Sequence, residues 1–182
     1  MLLPIKTHLE TIPPLDVFYL RRTGCYGEEN TLFMKRFQKW MKTHQLYSSD
    51  AVILALALDN PETTSPDSCR YDVCSPLCRE FLCLEDIPSD MKTRQLAGGS
   101  YLVFELEHTA EAIQEAWVKF PVGLNRIGYQ LDPSRLIMER YVRQMAENHL
   151  CQFSAPFLSR CYTEKTGTEI GTRFCFKRGQ VV

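Results

Sequence analysis

Leu96-Ala97-Gly98-Gly99-Ser100-Tyr101-Leu102-Val103-Phe104-Glu105-Leu106-Glu107 sets the reading of the chain around it. The Gly-Gly pair suits a turn or bulge that needs positive φ. Period-2 alternation follows: Leu102, Phe104 and Leu106 share one face, and Tyr101, Val103, Glu105 and Glu107 the other. One apolar face marks a strand that covers a core on one side. Thr109-Ala110-Glu111-Ala112 then reads as a helix start with Thr109 or His108 near the N-cap.

Turn, strand, helix occurs once before. Val17 to Tyr26 is followed by a helical run from about Glu28 to His44, with Leu32, Phe33, Phe37, Trp40 and Met41 on one stripe. Ile113, Ala116, Trp117 and Phe120 are the comparable stripe of the second helix, which Pro121 and Gly123 predict to end near Lys119. Each helix precedes two strand-like runs: 51–58 and 68–77 in the first half, 135–141 and 150–157 in the second. Residues 4–12 read as the first strand of the first half. Residues 91–97 read as the first strand of the second, pairing with the arm that runs to Glu107. The organisation is thus α+β: duplicated strand-helix-strand-strand repeats, about 4–77 and 91–157, in one domain over 1–157. Residues 158–182 form an extension, with Arg173 to Lys177 as an added strand or the whole as a tail.

Composition narrows the function. Hydrophobic residues at 45% support a packed core, and a net charge of −1 argues against direct nucleic-acid binding by bulk phosphate neutralisation. No apolar run is long enough for a membrane span, and the N-terminal residues lack a signal-peptide pattern. Cytoplasmic location and free thiols are therefore expected of the eight cysteines. Cys69, Cys74, Cys78 and Cys83 contain no Cys-x-x-Cys pair and have no nearby histidine, so neither a metal nor another cofactor is expected. Arg70 and Asp72 alternate outward on one strand and read as a solvated pair. Glu139 shares a strand face with Ile137 and Tyr141, where its charge is costly unless an arginine such as Arg21 or Arg140, water or a ligand cation compensates it. Glu105, on the face of Tyr101, is the second carboxylate of interest.

Gly24-Cys25-Tyr26, Asp59-Asn60-Pro61, Cys69-Arg70-Tyr71-Asp72, Gly98-Gly99-Ser100-Tyr101, Trp117 and Glu139-Arg140-Tyr141 resemble, in content and order, the GyrI-like family of gyrase inhibitory proteins and effector-binding domains. The resemblance implies a curved antiparallel sheet with two helices on its convex side and a ligand groove on the concave side. It implies recognition of small, often cationic and aromatic molecules through a late-strand glutamate, which falls on Glu139. Tyr71, Tyr101, Tyr141 and Trp117 are the aromatic candidates. These 182 residues hold no helix-turn-helix pattern, so a stand-alone binding protein for sensing or sequestration is expected. The alternatives are a hydrolase of reactive genotoxic molecules, with Glu139 and Glu105 as catalytic carboxylates, and an inhibitor with DNA gyrase as partner.

Overall fold

A computed structural model describes residues 5–126 and 128–158. The first half supplies β1 (Lys6–Ile12), β2 (Leu15–Thr23), α1 (Glu28–Thr43), β3 (Val52–Ala57) and β4 (Arg70–Pro76). A short α2 (Arg79–Leu82) leads to the second half: β5 (Lys92–Leu96), β6 (Gly99–Glu107), α3 (Ala110–Arg126), the two-residue β7 (Gln130–Leu131), β8 (Met138–Val142), α4 (Arg143–Glu147) and β9 (Leu150–Leu158). Each half thus contains the expected strand-helix-strand-strand series. The expected strand at Arg173 to Lys177 lies outside the described residues.

The sheet order is β1-β6-β9-β8-β3-β4-β2-β5, with every pairing antiparallel and β7 beside β9. Exchanging the two halves maps this order onto itself, and the point of exchange lies between β8 and β3. Edge strands are traded: β1 pairs with β6 of the second half, and β5 pairs with β2 of the first. The expected pairing of 91–97 with the following arm is therefore corrected. Ala97-Gly98 is a crossover, not a hairpin turn, because Leu96 must stand opposite Leu15 to reach the core. The crossover touches its counterpart after β1. A Cβ at Gly98 would lie 2.5 Å from Pro14 N and 2.6 Å from the Ile12 carbonyl oxygen, so only glycine allows this approach.

Register assigns the faces. Phe18 opposes Ser75, Ile53 opposes Tyr141, and Glu139 opposes Phe153, which puts these residues on one side of the sheet. Both long helices pack there. α1 lays Phe37, Trp40 and Met41 on Phe18, Ile53 and Val73, and α3 lays Phe120 and Leu124 on Leu102 and Phe153. Thr109 caps α3, its hydroxyl accepting from Ala112 N at 3.2 Å. The helix runs on to Arg126 rather than stopping near Lys119. Burial of Phe120 and Leu124, four residues apart, offsets the single backbone bond that Pro121 removes.

The opposite face is concave. Arg140 on β8 reaches Glu10 on β1 at 2.9 and 2.7 Å, although β9 and β6 lie between them. Three strand spacings of ~4.8 Å would place these side chains beyond each other's reach on a flat sheet. Val17, Leu54, Leu56, Cys74, Tyr101, Val103 and Met138 fill the curl. Asp72 is also inside it and fully buried, which corrects the reading of Arg70 and Asp72 as a solvated pair. Arg21 holds both Asp72 oxygens at 2.7 and 2.9 Å, whereas the exposed Arg70 pairs with Asp59.

Candidate functional site

α1 and α3 cover separate apolar clusters, one over β2 and β4 and the other over β6 and β9. Between them lie β3 and β8, the strands at the point of exchange. Along this strip β3 presents Ile53 and the small Ala55 and Ala57, opposite Tyr141, Glu139 and Tyr71 respectively. The β3 side chain opposite Glu139 is thus a single methyl group.

Glu139 keeps partial solvent access, and both carboxylate oxygens accept hydrogen bonds. Trp117 Nε1 donates to Oε1 at 2.6 Å and Tyr141 Oη donates to Oε2 at 2.8 Å. Both donors are neutral. Neither arginine considered in the sequence neutralises it: Arg21 goes to Asp72 and Arg140 to Glu10 and Gln152, all on the concave face. Burial accordingly pushes the Glu139 carboxyl above its ordinary value, although the two hydrogen bonds oppose the rise. Burial, and then the nearby Glu139 charge, push the Tyr71 and Tyr141 hydroxyls up as well, so both stay protonated and able to donate.

Four of the six proposed site residues thus lie together: Glu139, Trp117, Tyr141 and Tyr71. Two do not. Tyr101 is on the concave face, its hydroxyl donating to the Ala97 carbonyl at 3.3 Å under the Arg135 guanidinium. Glu105 has the parity of Tyr101 and stands opposite Gln152 and Lys6, so β6 turns it away from Glu139. The cluster around Glu139 also lies on the helix-bearing side, not on the concave side where the resemblance put the groove. The reason is parity: Glu139 shares its face with Ile137 and Tyr141, and that face receives the α3 cluster.

A model of a family described as a "GyrI-like small molecule binding domain" matches residues 6–152. The chain belongs to the GyrI-like family. Among relatives of this GyrI-like chain is the SPbeta prophage-derived protein YosT of Bacillus subtilis (strain 168), named as a transcriptional regulator. It is 35% identical over 155 residues, covering 84% of this chain and 99% of YosT. A DNA gyrase inhibitor of Edwardsiella piscicida is 25% identical over 139 residues, covering 76% of this chain and 87% of that protein. The same fold occurs in the EcmrR C-terminal domain, with a TM-score of 0.61, 12% identity, and coverage of 84% of this chain and 97% of that one. In its DNA complex EcmrR is a longer chain, of which this one spans 57%. SAV2435 bound to tetraphenylphosphonium has a TM-score of 0.54 at 13% identity, with coverage of 85% and 94%.

Three further aromatic rings border Glu139 or the tyrosines beside it, and none was a site candidate in the sequence. Phe153 opposes it in register and meets the Trp117 ring edge-on, with centroids 5.0 Å apart. His108, taken for a cap or surface residue, has its ring 5.0 Å from that of Tyr141. Tyr26 lies 6.3 Å from Tyr71 and is held by its hydroxyl, which donates to the Arg70 carbonyl at 2.9 Å. Nothing local in sequence pairs β9 with β8. No helix among the described residues is long and apolar enough to cross a membrane.

Proposed function

We propose that this chain binds amphipathic, cationic aromatic small molecules in the strip between α1 and α3, and serves to sense or sequester them. The observation that carries the reading is a glutamate whose charge meets only neutral donors. A carboxylate in such a place gains most from an incoming cation, because the ligand supplies the compensation that no described side chain provides. Trp117, Tyr141 and Tyr71 offer ring surface for an aromatic cation, worth about 0.5–2 kcal/mol per good cation–π contact. The small-molecule-binding family and a relative named as a regulator agree with this reading. The ligand of the fold neighbour SAV2435 supplies a suitable probe.

Calorimetric titration of the wild type and Glu139→Gln with tetraphenylphosphonium and with neutral triphenylphosphine oxide tests the reading. Loss of the charge at constant shape should weaken the cation by about 1–3 kcal/mol, the scale of a charged hydrogen bond, and the neutral compound much less. Equal affinities in both proteins would rule out Glu139 as the cation's partner. If Glu139→Gln instead abolishes hydrolysis of an electrophilic substrate while cation binding persists, Glu139 is a general base and the hydrolase reading replaces this one. Glu105 would not be its partner, since it is on the other face.

A further inference from the structure

A separate feature lies on the concave face, turned away from Glu139. It is a cavity of about 220 Å³, lined among others by Arg94, Leu96, Tyr101, Arg135, Leu136 and Met138. We propose that this cavity binds a small molecule carrying one carboxylate, or a similar single anionic group, on a compact apolar body.

The charge pattern carries the inference. The two charged residues in the lining are both arginines, and no carboxylate lines the cavity. Each nitrogen of Arg135 has an acceptor: Nε donates to Asp132 at 2.7 Å, Nη1 to the Ser100 carbonyl at 3.1 Å and Nη2 to the Phe157 carbonyl at 2.9 Å. Arg94 is not. Its Nε and Nη2 are buried without a hydrogen-bond acceptor among the described residues. Nη2 does lie 3.0 Å from Asp72 Oδ2, an ion-pair distance, but without hydrogen-bond geometry. Both Asp72 oxygens are already taken by Arg21. One buried carboxylate therefore faces two guanidinium groups, and the unmatched positive charge belongs to the arginine that borders the cavity.

Those two nitrogens are closed off, but 24% of the Arg94 side chain stays exposed, and a charged acceptor meeting the guanidinium there is favoured over a neutral one. The rest of the lining fits the other end of such a ligand. Leu96, Leu136 and Met138 provide apolar walls, and Tyr101 offers a ring face already fixed by Arg135 at 5.1 Å. The volume suits a benzoate-sized body rather than a multi-ring cation. The site is independent of Glu139, with opposite charge preference and on the opposite face of the sheet.

Fluorine NMR titration of the full chain with 4-fluorobenzoate tests this, with 4-fluorobenzyl alcohol and 4-fluorobenzylammonium as neutral and cationic counterparts. Saturable binding is expected for the carboxylate alone. Arg94→Met should weaken it at least tenfold, Arg94→Lys less, and Glu139→Gln should leave it unchanged. Arg21 still holds Asp72 in the Arg94 variants. Should they nonetheless fail to fold, the Met138 methyl resonance of the wild type serves instead. It should shift with 4-fluorobenzoate and stay fixed with tetraphenylphosphonium. Absence of saturable binding, equal binding of the alcohol, an unchanged affinity in Arg94→Met, or a Met138 methyl indifferent to 4-fluorobenzoate would each overturn the proposal.

Discussion

Trp117 Nε1 on α3 donates to Glu139 Oε1 on β8 at 2.6 Å, so the second helix is fastened to the sheet through the carboxylate proposed to meet the ligand. Replacing Trp117 with Phe keeps most of the apolar contact with Phe153 but removes this donor. Loss of a hydrogen bond to a charged group should destabilise the fold by about 1–3 kcal/mol at pH 8. The difference should shrink on acidification, because a neutral carboxyl loses less. Chemical denaturation at the two ends of that range measures it.

The raised Glu139 carboxyl has a defined consequence for stability. The folded protein holds the proton more tightly than the unfolded chain, whose carboxyl titrates near 4.5. Stability contributed by this group is therefore present at low pH and falls as pH rises from about 4.5 through the raised folded value. The empty wild type should lose stability relative to Glu139→Gln across that window and run parallel to it above. Paired denaturation curves at intervals of pH would show the divergence.

Asp72 is the buried anchor of the concave face. Asp72→Asn leaves Arg21 and Arg94 without their shared carboxylate and should cost roughly 3–5 kcal/mol, the scale of a broken buried pair. The converse change Arg94→Met keeps the bidentate Arg21 pair and should cost less. Thermal unfolding of both variants at one pH ranks them.

Gly99 has φ +142°, and a Cβ there would fall 2.0 Å from Arg135 Nη1. Gly99→Ala should therefore both strain the backbone and displace the guanidinium that ties Ser100 to Phe157. A loss of about 1–3 kcal/mol is expected. Methyl or fluorine NMR should report a disturbed concave cavity, with the Glu139 side left largely in place.

Alternation and helix periodicity in the sequence placed the strands, both long helices and the duplication, because each depends on residues close along the chain. Partner choice did not follow from them. A strand's parity says which residues share a face, not which neighbour the strand will take. For this reason β5 looked like a hairpin arm and proved to be an edge strand of the other half. Asp72 looked solvated because nothing local shows that the sheet curls over it. Glu139 was recognisable as a costly carboxylate, but its donor Trp117 is 22 residues away and reaches it only through the packing of α3 on β9. Tyr101 was assigned to the same site by resemblance, although its strand turns it to the concave side.

The central claim is that Glu139 binds the ligand as a charged group compensated by a cation. The affinity of tetraphenylphosphonium, measured against pH for the wild type and Glu139→Gln, tests it most directly. Binding to the wild type should strengthen as pH rises from about 4.5 through the raised carboxyl value and then level off, whereas Glu139→Gln should bind weakly with a flat profile across that window. Parallel profiles of equal affinity in the two proteins would contradict the account.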